Sequence, residues 1–542
     1  MRTNSRYRIG FLAVALIVSS LTASATGPAA SRQIPVPPPP MGWSSWNSFS
    51  NTINSEIAMA QARAMASNGM KEAGYQYINI DEGWWRGERD AEGNFVIDEK
   101  AWPALAAGEK AGDMGNIVRF IHSLGLKAGI YTDAGRNGCS LYPDVGPMYF
   151  NVGSEGHYEQ DFLQFARWGF DYVKVDWCGG DRENLDPAVQ YAEIARAIAR
   201  AEKITGHRLF FSLCEWGNQS PWTWAPHVGG APADIWRTSG DIVAPVVAGQ
   251  AHADRKASFA AMLGNFDQGI HPEAEHTGFY NDPDMMVIGM PGLNDAQNRV
   301  HMSLWAMSGA PLLVGADLTT LTPGTLAMLT NKAVLAVDQD GLGLQAVMVM
   351  AEPQRGVQVW SKPLADAGAR AVLVLNRGAA AAEATIDWKL IGLDESAATV
   401  KDLWSGKDFG PFHGSYSVEV PAGDALLVRV KGTPGPSATY RPEAPGAGEP
   451  ACPGCEVTFA HVASRSPWAR IRIQYTNRSA GPRYAELRVN GQGATWIAFP
   501  PTGPESGEVS VIARMDQPGA KNVLRLSSIN DAGPWIASII VE

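Results

Sequence analysis

Between residues 41 and 318 the chain alternates short β-rich apolar runs with longer stretches of helical periodicity. The runs are Met41–Trp46, Tyr75–Asp81, Leu126–Thr132, Tyr172–Trp177, Leu209–Glu215, Ile235–Ser239, Asp282–Ile288 and Pro311–Ala316. Between them, Met114, Ile117, Val118 and Ile121 recur at i, i+3, i+4 and i+7, as do Tyr191, Ile194, Ala195 and Ile198, which is the spacing of one helix face. Eight strands alternating with helices over ~280 residues predict an α/β fold, a (β/α)8 TIM barrel. A doubly wound open sheet is the rival, but no Gly-rich phosphate turn follows the first strand.

From about Ala333 the helical period fades. Val357–Trp360, Ala371–Leu375, Ala384–Trp388 and Ala425–Val430 read as short strands separated by turn residues, which predicts an antiparallel β-sandwich. A Pro-, Gly-, Ala- and Ser-rich stretch then has the composition of a linker. Beyond it, Ala469–Tyr475, Arg483–Val489 and Gly507–Ile512 read as strands of a second small all-β domain. The expected boundaries are a barrel over 36–332, a sandwich over 333–432, a linker over 433–450 and a last domain over 451–542.

Length agrees, since 542 residues exceed one ordinary domain. Composition is that of a soluble globular protein, 45% apolar and 18% charged, and a formal charge of −11 gives no clustered basic footprint for nucleic acid. Eighteen tryptophans suit either sugar stacking or core packing. Arg2, Arg6 and Arg8, the apolar run Ile9–Leu21 and the small residues Ala23-Ser24-Ala25 predict a cleaved signal peptide over 1–25. A secreted or periplasmic product follows, without membrane insertion after cleavage, because no later run reaches ~20 apolar residues. Export permits disulfides among Cys139, Cys178, Cys214, Cys452 and Cys455, of which one must stay unpaired. Cys452-Pro-Gly-Cys455 lacks the second ligand pair of a zinc site.

A TIM barrel carries its chemistry at the C-terminal ends of its strands. Polar residues there are Trp46, Asp81 with Glu82, Tyr131, Lys174 with Asp176, Glu215, Arg237 with Asp241, and Asp284. So many carboxylates at one mouth repel one another and need cations or a ligand to offset them. Lys174 and Asp176 are two apart on one strand and point to the same side, so the lysine keeps the carboxylate ionised, as a nucleophile requires. Asp241, just past strand six, is placed to act as the acid. Three other readings stand beside this one: an acidic Mg²⁺ site, weakened by the lack of a strand-end His, a Schiff-base Lys174, and a catalytically dead sugar binder.

These residues fall in recognisable order. Met41-Gly42-Trp43-Ser44-Ser45-Trp46-Asn47, Ile80-Asp81-Glu82-Gly83-Trp84, Gly129-Ile130-Tyr131, Lys174-Val175-Asp176-Trp177-Cys178, Cys214-Glu215-Trp216, Arg237-Thr238-Ser239-Gly240-Asp241-Ile242 and Asn281-Asp282-Pro283-Asp284-Met285 closely resemble glycoside hydrolase family 27, the α-galactosidase (melibiase) family. The resemblance covers about residues 39–430. It implies a retaining exo-glycosidase that releases terminal α-D-galactosyl residues from oligo- or polysaccharides, with Asp176 as nucleophile and Asp241 as acid/base. It further implies sugar contacts from Trp46, Asp81, Glu82, Tyr131, Lys174, Glu215, Arg237 and Asp284, a Cys139–Cys178 disulfide that leaves Cys214 free, and no metal or organic cofactor. The family usually carries Asp where this chain has Glu82, facing the 4- and 6-hydroxyls of galactose. Glu reaches about 1.5 Å further. A pocket narrowed in that way would favour β-L-arabinopyranosides, whose sugar is galactose without the exocyclic CH₂OH. Residues 451–542 more faintly resemble family 35 carbohydrate-binding modules through Val489-Asn490-Gly491, Phe499-Pro500 and Gly519-Ala520-Lys521-Asn522, with a local Cys452–Cys455 disulfide.

Overall fold

A computed structural model describes residues 1, 32–139, 150–230, 232–243, 255–443, 455–517, 519–529 and 533–542. The expected leader, Met1 apart, and Cys452 of the expected local disulfide lie outside the described residues. Eight short parallel strands, β1 (Met41–Ser44), β2 (Tyr77–Asn79), β3 (Lys127–Asp133), β4 (Tyr172–Asp176), β5 (Phe210–Leu213), β6 (Ile235–Arg237), β7 (Tyr280–Asp282) and β8 (Leu312–Val314), form one sheet in chain order. β8 returns to pair with β1, and a parallel bridge between Met286 and Val314 joins the other edge, closing the barrel.

Alternation along β4 shows why the sequence folds this way. Val173 and Val175 join the main apolar core, whereas Tyr172 and Lys174 line the barrel cavity. Helices Gly115–Ser123 and Pro187–Thr205 bury the two periodic faces read from the sequence. The second is delimited by Asp186, which accepts from the Ala188 and Val189 amides, and by left-handed Gly206. Trp43, Trp84, Trp236, Trp305 and Trp388 are fully buried, so much of the tryptophan surplus serves packing.

Strand seven departs from expectation. It spans Tyr280–Asp282, where the apolar run predicted Asp282–Ile288. Pro283 cannot donate to a ladder, and Asp284 takes φ of 105°, so the backbone breaks there before Met286 makes its single bridge. Helical structure also runs past Ala333, in Lys332–Asp338, before the sandwich strands start at Val347. The sandwich has a six-stranded and a two-stranded antiparallel sheet, and the last domain has a four-stranded antiparallel sheet and a five-stranded mixed one. Ala438–Tyr440, within the Pro- and Gly-rich stretch, is a strand on Trp535–Val541, and Arg32–Gln33 pairs with Gly507–Glu508. No described helix is long and apolar enough to cross a membrane.

Candidate active site

β3 and β4 pair with Tyr131 opposite Lys174 and Asp133 opposite Asp176, so one register brings four polar side chains to the same side of the sheet. The Lys174 ammonium stands 3.0 Å from Asp81 Oδ2 and 3.5 Å from Asp176 Oδ2. Asp81 is fixed before anything binds. Its N–H donates to Ser45 Oγ at 2.9 Å, its Oδ1 accepts the Glu82 N–H at 2.8 Å, and Ser44 Oγ lies 3.5 Å from Oδ2. Burial pulls the Lys174 ammonium down, but the Asp176 and Asp81 carboxylates outweigh it and hold it well above the usual lysine value. Burial pushes the Asp176 carboxyl up, opposed by Lys174 and reinforced by the charges of Asp81 and Asp241.

Arg237, at the end of β6, forms the second node. Its Nη1 is 3.1 Å from Asp284 Oδ1, and its Nη2 is 3.0 Å from Asp241 Oδ1 and donates to the Ser239 and Gly240 carbonyls. Asp284 in turn accepts the Ile242 N–H at 2.8 Å, and Asn265 ties the Gly240 and Pro283 carbonyls together. The segment that carries Asp241 is thus held from β6, from the turn after β7 and from helix Phe259–Gln268. Asp241 keeps 40% of its side chain exposed, whereas Asp284 is buried and pushed upward by that burial.

The remaining expected residues surround these nodes. Glu215 is fully buried, accepts the Gln219 N–H through Oε2 at 2.9 Å, and is pushed by burial up to about 7. Its Oε1 meets no hydrogen-bond partner among the described residues. Tyr131 is buried with its ring 5.3 Å from the Lys174 ammonium, and after burial itself the charges of Glu82 and Asp176 raise its phenol. Trp46 is half-buried against an apolar cluster that includes Tyr172, Met285 and Leu313. Ser44, Asp81, Tyr131, Lys174, Arg237, Asp284 and Met285 line the innermost cavity, while Trp46, Glu82, Asp176, Glu215 and Asp241 stand outside that lining. Cys139 and Cys178 form a disulfide with Cα atoms 5.1 Å apart, and Cys214 is free and buried. Among the described residues the one grouping of metal-ligating atoms is Asp133 with those two bonded sulfurs.

Two site residues escaped the sequence reading. Asp133 lies one residue past the expected end of strand three, fully buried, where its Oδ1 accepts the Gly135 and Gly179 amides. Burial and then the Asp176 charge raise it well above the usual range. Extending the apolar run by one residue would have found it. Arg255 is buried with Nη1 3.4 Å from the Trp46 and Asn47 carbonyls, and it feels the charges of Asp241 and Asp284. Nothing in its sequence surroundings marks it.

The chain is similar to known proteins over most of its length. Residues 38–340 match the family described as alpha galactosidase A, residues 354–430 the alpha-galactosidase C-terminal β-sandwich domain, and residues 457–537 an alpha-galactosidase CBM13 domain. The last match corrects the family 35 resemblance, which rested on turn and strand-end fragments that many sandwiches share. The chain is 36% identical to alpha-galactosidase A of Cellvibrio japonicus (strain Ueda107) over 425 residues, covering 76% of this chain and 97% of that one. It is 38% identical to an alpha-galactosidase of Oryza sativa subsp. japonica over 390 residues, with coverages of 72% and 84%. The crystal structure of alpha-galactosidase I from Mortierella vinacea superposes with a TM-score of 0.62 at 29% identity, covering 73% of this chain and 98% of that one.

Proposed function

The chain belongs to the alpha-galactosidase A family, glycoside hydrolase family 27, and from that premise we propose how its pocket releases a terminal α-D-galactosyl residue from oligo- or polysaccharides. Asp176 attacks the anomeric carbon as the glycosidic bond breaks. Asp241 gives its proton to the departing oxygen. The resulting glycosyl ester on Asp176 is then hydrolysed by a water whose proton returns to Asp241, so configuration is retained over two inversions. The observation that carries this reading is the pair of cation nodes: Lys174 bridging Asp81 and Asp176, and Arg237 bridging Asp284 and Asp241. Lys174 opposes the burial that pushes the Asp176 carboxyl up, and Asp241 keeps 40% of its side chain exposed at the mouth, where a departing group would leave.

Asp81, Glu82, Tyr131, Lys174, Glu215, Arg237 and Asp284 supply the polar sugar contacts in this reading, with Trp46 offering its face to the ring. β-L-Arabinopyranosides are the second substrate class, tied to Glu82. Proton NMR of the first-formed sugar from a p-nitrophenyl α-galactoside tests the mechanism, with the α-anomer expected and the β-anomer excluding a double displacement. Parallel assay on p-nitrophenyl β-L-arabinopyranoside ranks the two sugars, and unchanged turnover in EDTA separates this chemistry from a carboxylate-held metal. Export through the leader at 1–25 accounts for the Cys139–Cys178 disulfide, because such bonds persist in oxidising compartments.

A further inference from the structure

Glu82 is fully buried, and its carboxylate is turned toward Gly138. A Cβ built on Gly138 would lie 2.5 Å from Glu82 Oε1 and 3.4 Å from its Cδ, closer than any real side chain tolerates. Only glycine therefore leaves room for the carboxylate in its present position. Gly138 cannot easily retreat. The next residue, Cys139, is bonded to Cys178, and Val152 Cγ2 would lie 3.4 Å from the added carbon. Gly138 does not have a left-handed backbone, so alanine there is not excluded by φ.

We propose that Gly138 is a specificity-determining residue: the space above its Cα holds the Glu82 carboxylate back from the sugar pocket and so keeps room for the exocyclic CH₂OH of galactose. This inference rests on Glu82 facing the C6 side of the sugar. The extra methylene of glutamate is absorbed by a missing side chain on the neighbouring loop, which reconciles the longer residue with a galactose-sized pocket. Adding a methyl at Gly138 displaces the flexible end of Glu82, in this proposal toward Tyr131, on whose phenol the Glu82 charge already acts.

Gly138→Ala, Glu82→Asp and the double variant, each compared with the parent on p-nitrophenyl α-galactoside and p-nitrophenyl β-L-arabinopyranoside, test this. Gly138→Ala should lower the galactoside/arabinoside ratio of kcat/KM about tenfold, at the lower end of what one carbon of pocket shape is worth. In the Glu82→Asp background the same change should move the ratio less than about twofold, because the shorter acid no longer reaches the added methyl. A ratio unchanged by Gly138→Ala in folded enzyme, or shifted equally in both backgrounds, overturns the proposal. Glu82→Asp alone should leave the ratio within about twofold, because the parent pocket already admits CH₂OH, and a large rise toward the galactoside would show that Glu82 still crowds C6 and overturn the proposal. No turnover of either substrate by the parent would instead remove the glycosidase reading. If Gly138→Ala does not fold, a folded double variant supports the steric pairing, and a double variant that also misfolds overturns it.

Discussion

Lys174 and Arg237 each hold two carboxylates at once, Lys174 joining Asp81 to Asp176 and Arg237 joining Asp284 to Asp241. In the proposed mechanism Asp176 forms the glycosyl ester, so Asp176→Ala should abolish turnover on every substrate. Asp241→Ala should behave differently. Loss of a general acid costs about 10²–10⁴-fold where the leaving group needs a proton, and far less with nitrophenolate, which departs unaided. Comparing p-nitrophenyl α-galactoside with an unactivated galactoside separates the roles, and equal losses on both count against Asp241 as the acid. At this scale the sequence was informative wherever a charged residue ended a strand, since strand ends converge whatever the connecting loops do. It was silent where function depends on absence: Gly138 matters for the atom it lacks, and no spacing rule flags that. Arg255 was equally invisible, because its proximity to Trp46 and Asp241 is created by a long connection between β6 and β7.

Strands three and four illustrate how an element becomes a working part. Their parallel register aligns Tyr131 with Lys174 and Asp133 with Asp176, and the disulfide then ties the loop after β3 to helix Cys178–Arg182. Gly135 and Gly179 permit that approach. A Cβ on Gly135 would lie 2.3 Å from the Gly179 carbonyl carbon. The bond closes a loop across a sequence separation of 39, for which chain entropy gives stabilisation of about 3–4 kcal/mol. Cys139→Ser with Cys178→Ser should lower the apparent Tm by several degrees and also reduce kcat/KM, since Cys139 Sγ lies 3.6 Å from Asp176 Oδ2. Full activity with a lowered Tm would show that the bond stabilises the fold without shaping the site. Barrel strands and helices were legible because each has one clear period. β7 was misplaced because Met285-Met286-Val287-Ile288 is as apolar as a strand, yet the backbone break at Pro283 and Asp284 removes it from the ladder.

Barrel and sandwich share one apolar core, to which Leu373, Leu375 and Leu427 contribute, and further contacts across the domain boundaries add to it. The last domain docks on the barrel with Trp496 stacked 4.9 Å from His227, Thr495 donating to the Glu273 carbonyl, and the Ala498 amide donating to Thr277. Between barrel and sandwich, Lys362 is buried and donates to the Ala306 carbonyl at 3.0 Å. Burial lowers its affinity for a proton while Asp338 and Glu275 raise it. Asp338 ends helix Lys332–Asp338, fully buried, with Oδ2 accepting from Gln339 and Oδ1 without a hydrogen-bond partner among the described residues. Burial pushes it up to about 7, against the pull of Lys362. A carboxyl whose folded value lies above its unfolded value of about 3.9 binds more protons folded than unfolded. Its contribution is therefore complete below about pH 4 and is lost progressively as pH rises to about 7. Asp338→Asn removes that titration while keeping the shape. The difference in apparent Tm between variant and parent should thus move in the variant's favour from pH 4.5 to pH 7.5, by the equivalent of about 1–3 kcal/mol. Thermal unfolding of both proteins at the two pH values measures it, and a difference that does not change with pH would show that Asp338 does not titrate in this window.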